Sequence, residues 1–362
     1  MLLINNQEVE QLLDMKSCIE ALETGYEDLL KGDAVYRPRL DVWVPCARPD
    51  GYYRWGTMEG ASRKIGVFAI RMKSDIVRWP DGKTEEKYCI KPGTFCGLIM
   101  VFSVRDGEPL AIINDGLLQH MRVGGCAGLG AKYLSRPDAS VIGIFGSGGM
   151  ARSYLMAFNE VRKIKKVKVY SPTKAHREAC AEEMTKRLGL PVDAVDRAEL
   201  VVRGSDIVAT CTDSTQTVFD EPGWLEEGAH ITCVRACEVG PKVVKRCDLS
   251  VKLGRNTVET MDEGMVRLHG NVGYIAGQPE ERARIPNPEV DNYRGDFFRY
   301  FMDLKAGRVP GRTSPRQITF FINAGTQGLQ FAACAGRVYQ LAKEKGLGRE
   351  IPTEWFLQDI RD

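Results

Sequence analysis

The sequence has almost no net charge, with a formal balance of +2 across 362 residues. It therefore lacks the basic footprint that binding to nucleic acid or an anionic membrane leaves on a domain, and a small-molecule partner is expected instead. No uncharged apolar run approaches the roughly 20 residues that span a bilayer. The opening residues Met1-Leu2-Leu3-Ile4-Asn5-Asn6-Gln7-Glu8 lack the basic and apolar regions of a secretory signal, so a cytoplasmic protein is expected. Regular cysteine spacing is missing too. The eleven cysteines are an odd number without a pattern, and most sit in apolar runs, as Cys126, Cys211 and Cys334 do. Reduced core thiols are expected rather than disulfides. Cys233 and Cys237 have no CxxC or HxxxH partner, and no metal site is expected.

A chain this long exceeds one ordinary hydrophobic core, so two domains are expected, possibly interleaved in sequence. Val9, Leu12, Leu13, Met15, Ile19, Leu22, Tyr26, Leu29 and Leu30 recur close to a 3.6-residue period, which predicts one or two amphipathic helices ending at Gly32. From Arg39 to about Ile113 short apolar or alternating runs are separated by turn signals such as Pro49-Asp50-Gly51, Pro80-Asp81-Gly82 and Asp106-Gly107. That pattern predicts an antiparallel meander. Gly116 to Ser135 reads as a helix rich in Gly and Ala, able to approach a neighbour closely.

The most specific signal is the apolar strand Ser140 to Phe145 running into Gly146-Ser147-Gly148-Gly149-Met150-Ala151 and then a helix. Gly146 permits the tight turn, Gly148 lets the backbone approach a pyrophosphate, and Ala151 allows helix and strand to pack closely. The helix start offers N–H groups and a positive dipole to the anion. A second strand at Lys166 to Tyr170, a helix from Lys174 to Leu188 and a third strand at Asp206 to Cys211 complete the repeating βαβ context of a Rossmann-type, dinucleotide-binding sheet.

The second strand ends in Tyr170-Ser171-Pro172-Thr173-Lys174-Ala175-His176-Arg177, without the carboxylate that would bind a ribose 2′-hydroxyl. NADP is therefore expected ahead of NAD, with Ser171, Lys174 and Arg177 near the 2′ position. Ser147, Gly149 and Met150 belong with the pyrophosphate turn. Thr212 or Ser214, after the third strand, is placed at the nicotinamide ribose or phosphate.

These segments, taken in order, resemble the ornithine cyclodeaminase and mu-crystallin family, which also includes ketimine reductases, pyrroline-2-carboxylate reductases and some alanine dehydrogenases. The likeness is carried by Pro38-Arg39-Leu40, Lys73 at a strand end, Leu117 to Leu134 with Arg122 at its middle, the glycine motif, Asp206 to Ser214, Trp224 to Ile231, and Ile318-Thr319-Phe320-Phe321 leading to Gly325. The resemblance implies an α/β protein in which a Rossmann-type parallel-sheet domain, residues 131–317, is inserted in an α+β substrate-binding and dimerisation domain. That second domain comprises residues 1–130 and 318–362. A homodimer is implied, with the active site in the cleft between domains.

By position in the family, Arg39, Lys73 and Arg122 hold the carboxylate of an amino or imino acid, with Arg37 a rival for the role of Arg39. A guanidinium fork fits a planar carboxylate, and a buried lysine shifts its pKa enough to exchange protons, so Lys73 and Arg122 are the catalytic candidates. Glu59, in the stretch Trp55 to Gly60, is placed near the substrate cleft; Glu59, Asp75 and Arg235 are weaker candidates for substrate contact, each read as a solvated or ion-paired surface group. His120 is an auxiliary candidate.

The departures bear on the reaction. Cyclodeaminases of the family carry a catalytic aspartate in a Gly-rich turn after the strand that here reads His230 to Val234. Here the chain runs Arg235-Ala236-Cys237-Glu238-Val239-Gly240, a shortened turn, and Gln330 stands where an aspartate is common. The expected activity is an NAD(P)H-dependent reductase of an imine or ketimine bearing a carboxylate, or the reverse amino-acid dehydrogenase. Two alternatives stay open: a non-redox cyclodeaminase-type ammonia lyase using bound NAD, and a cofactor-dependent binding protein of the mu-crystallin kind. The stretch from Gly254 to Thr313, with Tyr293, Phe297, Phe298, Tyr300 and Phe301, reads as a lid, an oligomer contact or a packed helix face.

Overall fold

The computed structural model describes residues 1–48, 50–80, 84–254, 262–268, 271–286 and 298–360. The N-terminal periodicity resolves into two helices, Asn6–Leu12 and Met15–Lys31, because Asp14 breaks it and caps the second one through Ser17 N–H. Gly32 ends that helix in the left-handed conformation, at φ +78°.

The meander becomes the centre of a mixed sheet, twelve strands among the described residues. Leu40–Pro45, Gly51–Ser62, Val67–Arg78, Cys96–Ser103 and Pro109–Asn114 pair antiparallel in succession. Leu2–Ile4 adds to the last of them in parallel, a pairing between residues more than a hundred positions apart. Along Val67–Arg78 the inward residues are Val67, Ala69, Arg71, Lys73, Asp75 and Val77, all buried, so three charged side chains sit in the middle of an otherwise apolar face. The long C-terminal helix Gln327–Lys345 covers the apolar end of this face, and its Gly328 lies directly against the Glu59–Gly60 backbone.

The second sheet is wholly parallel. Its order is Val192–Ala194, Lys166–Tyr170, Val141–Phe145, Ile207–Thr210, His230–Cys233, Thr319–Ile322, Leu249–Lys252 and Phe298–Tyr300. The α/β class read from the sequence is the class observed. The two sheets are joined by the Gly-rich helix Gly116–Leu134, which lies along Gly149–Val161. A Cβ on Gly124 would come within 2.6 Å of Ser153 O, and one on Gly128 within 3.1 Å of the Ala157 side chain, so small residues are what let the two helix axes approach.

Two segments differ from the division at 131 and 318. Thr319–Ile322 lies inside the parallel sheet, between His230–Cys233 and Leu249–Lys252, and all four of its residues are buried. A continuous apolar run is what a strand covered on both faces requires. Met265–Leu268 and Asn271–Ile275 form a hairpin that joins the mixed sheet through Leu40–Pro45. Phe298 and Tyr300 lie on the edge strand of the parallel sheet, and Phe301 is buried against Tyr26 and Tyr133; Tyr293, Phe297 and the Asp81-Gly82 turn lie outside the described residues. No helix among the described residues is long and apolar enough to cross a membrane.

His230 is buried in the parallel sheet. Thr319 Oγ1 donates to Leu134 O at 3.0 Å, so His230 Nδ1–H donates to Thr319 Oγ1 at 2.9 Å, and Nε2 has no partner. Burial, with Arg312 and Arg162 nearby, lowers its pKa from 6.5 to about 3. The folded state thus binds fewer protons than the unfolded chain between those values. Its contribution to stability is complete above pH 6.5 and is lost as pH falls toward 3, at about 1.4 kcal/mol per unit. Urea unfolding over this range is expected to show a shallower pH slope for His230→Gln; an unchanged slope would refute the assignment.

Candidate active site

The charged centre of the mixed sheet is laid out by register. Asp41, Gly56, Lys73 and Gly97 are direct neighbours across four strands. The two glycines leave room on either side of Lys73 for acids: a Cβ on Gly56 would stand 2.5 Å from Asp41 Oδ1, and one on Gly97 2.7 Å from Asp115 Oδ2.

Lys73 Nζ lies 2.7 Å from Asp75 Oδ2. Arg54 forks onto the same carboxylate at 3.0 and 2.9 Å and reaches Glu85 at 3.2 Å. Burial pushes the Lys73 ammonium well below its usual range, and Arg54 and Lys87 push it further, against the pull of Asp75. Asp75 is buried rather than at the surface as its residue type suggests, because two cations satisfy it.

Arg122 projects from Gly116–Leu134 with its guanidinium 4.5 Å over the Phe331 ring, and donates from Nη1 to Gln330 Oε1 at 2.7 Å. Its buried Nε has no partner, and burial lowers its pKa to about 10. Gln330 is fixed in turn, donating to Gly325 O at 2.8 Å and Thr326 Oγ1 at 3.1 Å. Beside it Arg71 pairs with Asp115 at 2.5 Å and with Gln119 at 2.8 Å, both partners of the ion pair being almost fully enclosed. Arg39 pairs with Asp41 at 2.8 Å at the edge of this cluster, its side chain 19% exposed. Arg37 holds both oxygens of Glu59, at 2.8 and 2.5 Å, so that carboxylate is engaged within its own sheet.

In the parallel-sheet part, Gly146 adopts φ +102° and turns so tightly that a Cβ would strike Cys211 O. Gly148 caps Gly149–Val161, and a Cβ added to it would meet nothing within 4 Å, so the helix start faces open space. That is the cradle a pyrophosphate requires. Ser147 Oγ lies 3.1 Å from Ser171 Oγ, and Arg177 donates to Ser171 O and Pro172 O at 3.1 and 3.3 Å, which brings these three to the end of the second strand. Lys174 is exposed and 3.8 Å from Glu178. Met150 is half-buried in the first turn. Thr212 donates from both N and Oγ1 to Glu238 Oε1, at 2.6 and 2.7 Å, and Ser214 donates to Gln216 O.

The two halves meet at His120, whose ring stands where a Cβ of Gly149 would be, 2.6 Å from Cε1. Burial lowers its pKa, with Lys87 and Arg122 adding to the effect. Thr84, next to Glu85, also bridges to Ser214.

The chain as a whole has counterparts among known proteins. The model of the ornithine cyclodeaminase/mu-crystallin family matches residues 1–346. The chain belongs to this family. It is 26% identical over 258 residues, 71% of this chain and 74% of the other, to the Delta(1)-pyrroline-2-carboxylate reductase of Bacillus cereus. The alanine dehydrogenase of Archaeoglobus fulgidus is 26% identical over 353 residues, covering 97% of this chain and 98% of that one. Among solved structures, Thermococcus litoralis Delta(1)-pyrroline-2-carboxylate reductase in complex with NADH and L-proline superposes with a TM-score of 0.74 at 26% identity, over 97% of this chain and 100% of that one.

Within the family frame, sequence reasoning missed Arg54, Arg71, Glu85, Lys87 and Asp115. Part of the signal was present: Arg71, Lys73 and Asp75 alternate on a strand whose other inward residues are Val67, Ala69 and Val77, so they had to share the buried face.

Proposed function

We propose that this protein is an NAD(P)H-dependent oxidoreductase that reduces the C=N bond of an imine or ketimine bearing a carboxylate, or runs the reverse oxidation of an amino acid. The observation that carries the reading is that two buried cations, Lys73 and Arg122, lie on the same side of the molecule's junction as His120, which feels Arg122 and packs on Gly149 of the glycine turn. The unpartnered Nε of Arg122 is a donor suited to a carboxylate oxygen. Lys73, its pKa lowered, is an acid matched to protonating the substrate nitrogen. A nicotinamide cofactor whose pyrophosphate is held by the glycine turn would supply the hydride, and Thr212 and Ser214 would lie toward its nicotinamide end. Phe95 and Phe331 flank the cations and exclude water from them. Arg39, with Asp41 beside it, completes the carboxylate end.

For the cofactor, Gly146, Ser147, Gly148, Gly149 and Met150 take the pyrophosphate, and Thr212 and Ser214 face the nicotinamide side. The acid-free stretch with Ser171, Lys174 and Arg177 supports NADP ahead of NAD; the Thermococcus relative was solved with NADH, so both belong in the test. A homodimer is part of the proposal, supported by the half-exposed apolar row Phe68, Ile70 and Met72 on the outer face of the mixed sheet.

The test is oxidation of NADPH or NADH followed at 340 nm with cyclic imino acids and with 2-oxo acids plus ammonia or methylamine, the protein first sized by light scattering. Amine-dependent turnover by a particle twice the 40.3 kDa chain mass is expected. Cofactor binding without turnover of any acceptor would sink the reductase reading.

A further inference from the structure

The cations at the site form a row framed by two aromatic rings. Lys87 Nζ lies 5.9 Å and Lys73 Nζ 5.2 Å from the Phe95 ring centre; Arg71 is 5.8 Å from Phe95 and 5.6 Å from Phe331, and Arg122 is 4.5 Å from Phe331. The middle of this row is balanced, Lys73 by Asp75 and Arg71 by Asp115. The ends are not. Arg122 is met by the neutral amide of Gln330. Lys87 has Glu85 no nearer than 3.8 Å, and that carboxylate already accepts from two nitrogens of Arg54, at 3.5 and 3.2 Å. Arg235, which follows the parallel-sheet strand His230–Cys233, adds positive potential at both Glu85 and Lys87.

Five cations, Arg54, Arg71, Lys73, Lys87 and Arg122, face three carboxylates, Asp75, Glu85 and Asp115, and an excess of positive charge felt at two ends of the row is complementary to two separated negative charges. We propose that the substrate carries a second carboxylate, distal to the one taken by Arg122, and that Lys87 receives it. The substrate class is an imino or 2-oxo dicarboxylate, and the inference rests on the reductase reading above. Lys73, between the two ends, then stands beside the reacting carbon and nitrogen rather than serving as a carboxylate clamp. Lys87 is a specificity residue. Desolvation lowers its pKa and Glu85 opposes that, with Arg54 and Arg235 pushing it down, and a second carboxylate on the substrate would add to the stabilising side.

The experiment compares kcat/KM for oxaloacetate and 2-oxoglutarate with that for pyruvate and 2-oxobutanoate, each with ammonia and reduced cofactor, in the wild-type protein, Lys87→Met and Lys87→Arg. The dicarboxylates are expected to lead by about 10- to 100-fold, through KM. Lys87→Met should collapse that ratio toward one, and Lys87→Arg should retain most of it. Equal turnover of mono- and dicarboxylates by the wild type overturns the proposal while leaving the reductase reading intact, as does a Lys87→Met effect confined to the KM of the cofactor. If no acceptor turns over, the reductase reading fails. The charge argument is then decided by calorimetric titration of succinate against butanoate onto the wild-type protein with cofactor present; equal affinities overturn it.

Discussion

Lys73→Met is expected to lower kcat by about 10²- to 10⁴-fold with cofactor binding, read by fluorescence, unchanged. The loss follows from the proposed proton transfer, since Met keeps the length and packing of the stem but has no acidic hydrogen. A merely structural role predicts a different result. Lys73 is a buried cation held away from its ordinary pKa by burial and by Arg54, and Asp75 keeps the Arg54 fork after the substitution. Losing that desolvation cost should leave the thermal midpoint equal to or above the wild type. An inactive variant that is also unfolded would refute the prediction. The pH profile gives a second readout. The active form is the protonated lysine, so activity falls as pH rises through a pKa well below 10.5. Asp75 holds that pKa up, and Asp75→Asn should move the alkaline limb to lower pH. A limb that stays in place would assign the titration to another group.

The second large effect is on stability. Arg71 and Asp115 are 1% and 0% exposed, and their ion pair ties the centre of the mixed sheet to the start of Gly116–Leu134. Burial raises the pKa of Asp115 and lowers that of Arg71, each partly offset by the other. Such a pair adds little net stability, but removing one member leaves a buried charge alone, at about 3–5 kcal/mol. Asp115→Asn is therefore expected to destabilise by that amount, a large share of the roughly 5–15 kcal/mol that holds a domain together. The double variant Arg71→Met with Asp115→Asn should recover part of the loss. Denaturant midpoints for both single variants and the double complete the cycle, and strict additivity would show that the two side chains do not depend on each other.

The local geometry around the candidate site was legible in the sequence. The strand, glycine turn and helix from Ser140 to Phe158 carry their own geometry, because Gly146 needs a positive φ and Gly148 an open approach. Both are decided by residues next to one another. The Gly/Ala run of Gly116–Leu134 likewise announced a close helix contact, and Lys73 and Arg122 stood out as charges interrupting apolar stretches.

What the sequence could not determine was which distant residues answer those charges. That Arg71 meets Asp115, that Arg54 and Lys73 share Asp75, that Arg122 rests on Gln330 and that Arg37 occupies Glu59 depends on strand register and on helices brought together from opposite ends of the chain. The same holds for Thr319–Ile322, which reads as an apolar strand from its own residues but takes its place between two others only through hydrogen bonds to strands some seventy to ninety residues earlier. Hydrophobic period and turn chemistry act over a few residues and so are written in the sequence. Partnership between buried charges is an electrostatic matter of a few ångströms in space, and only the tertiary structure sets those distances.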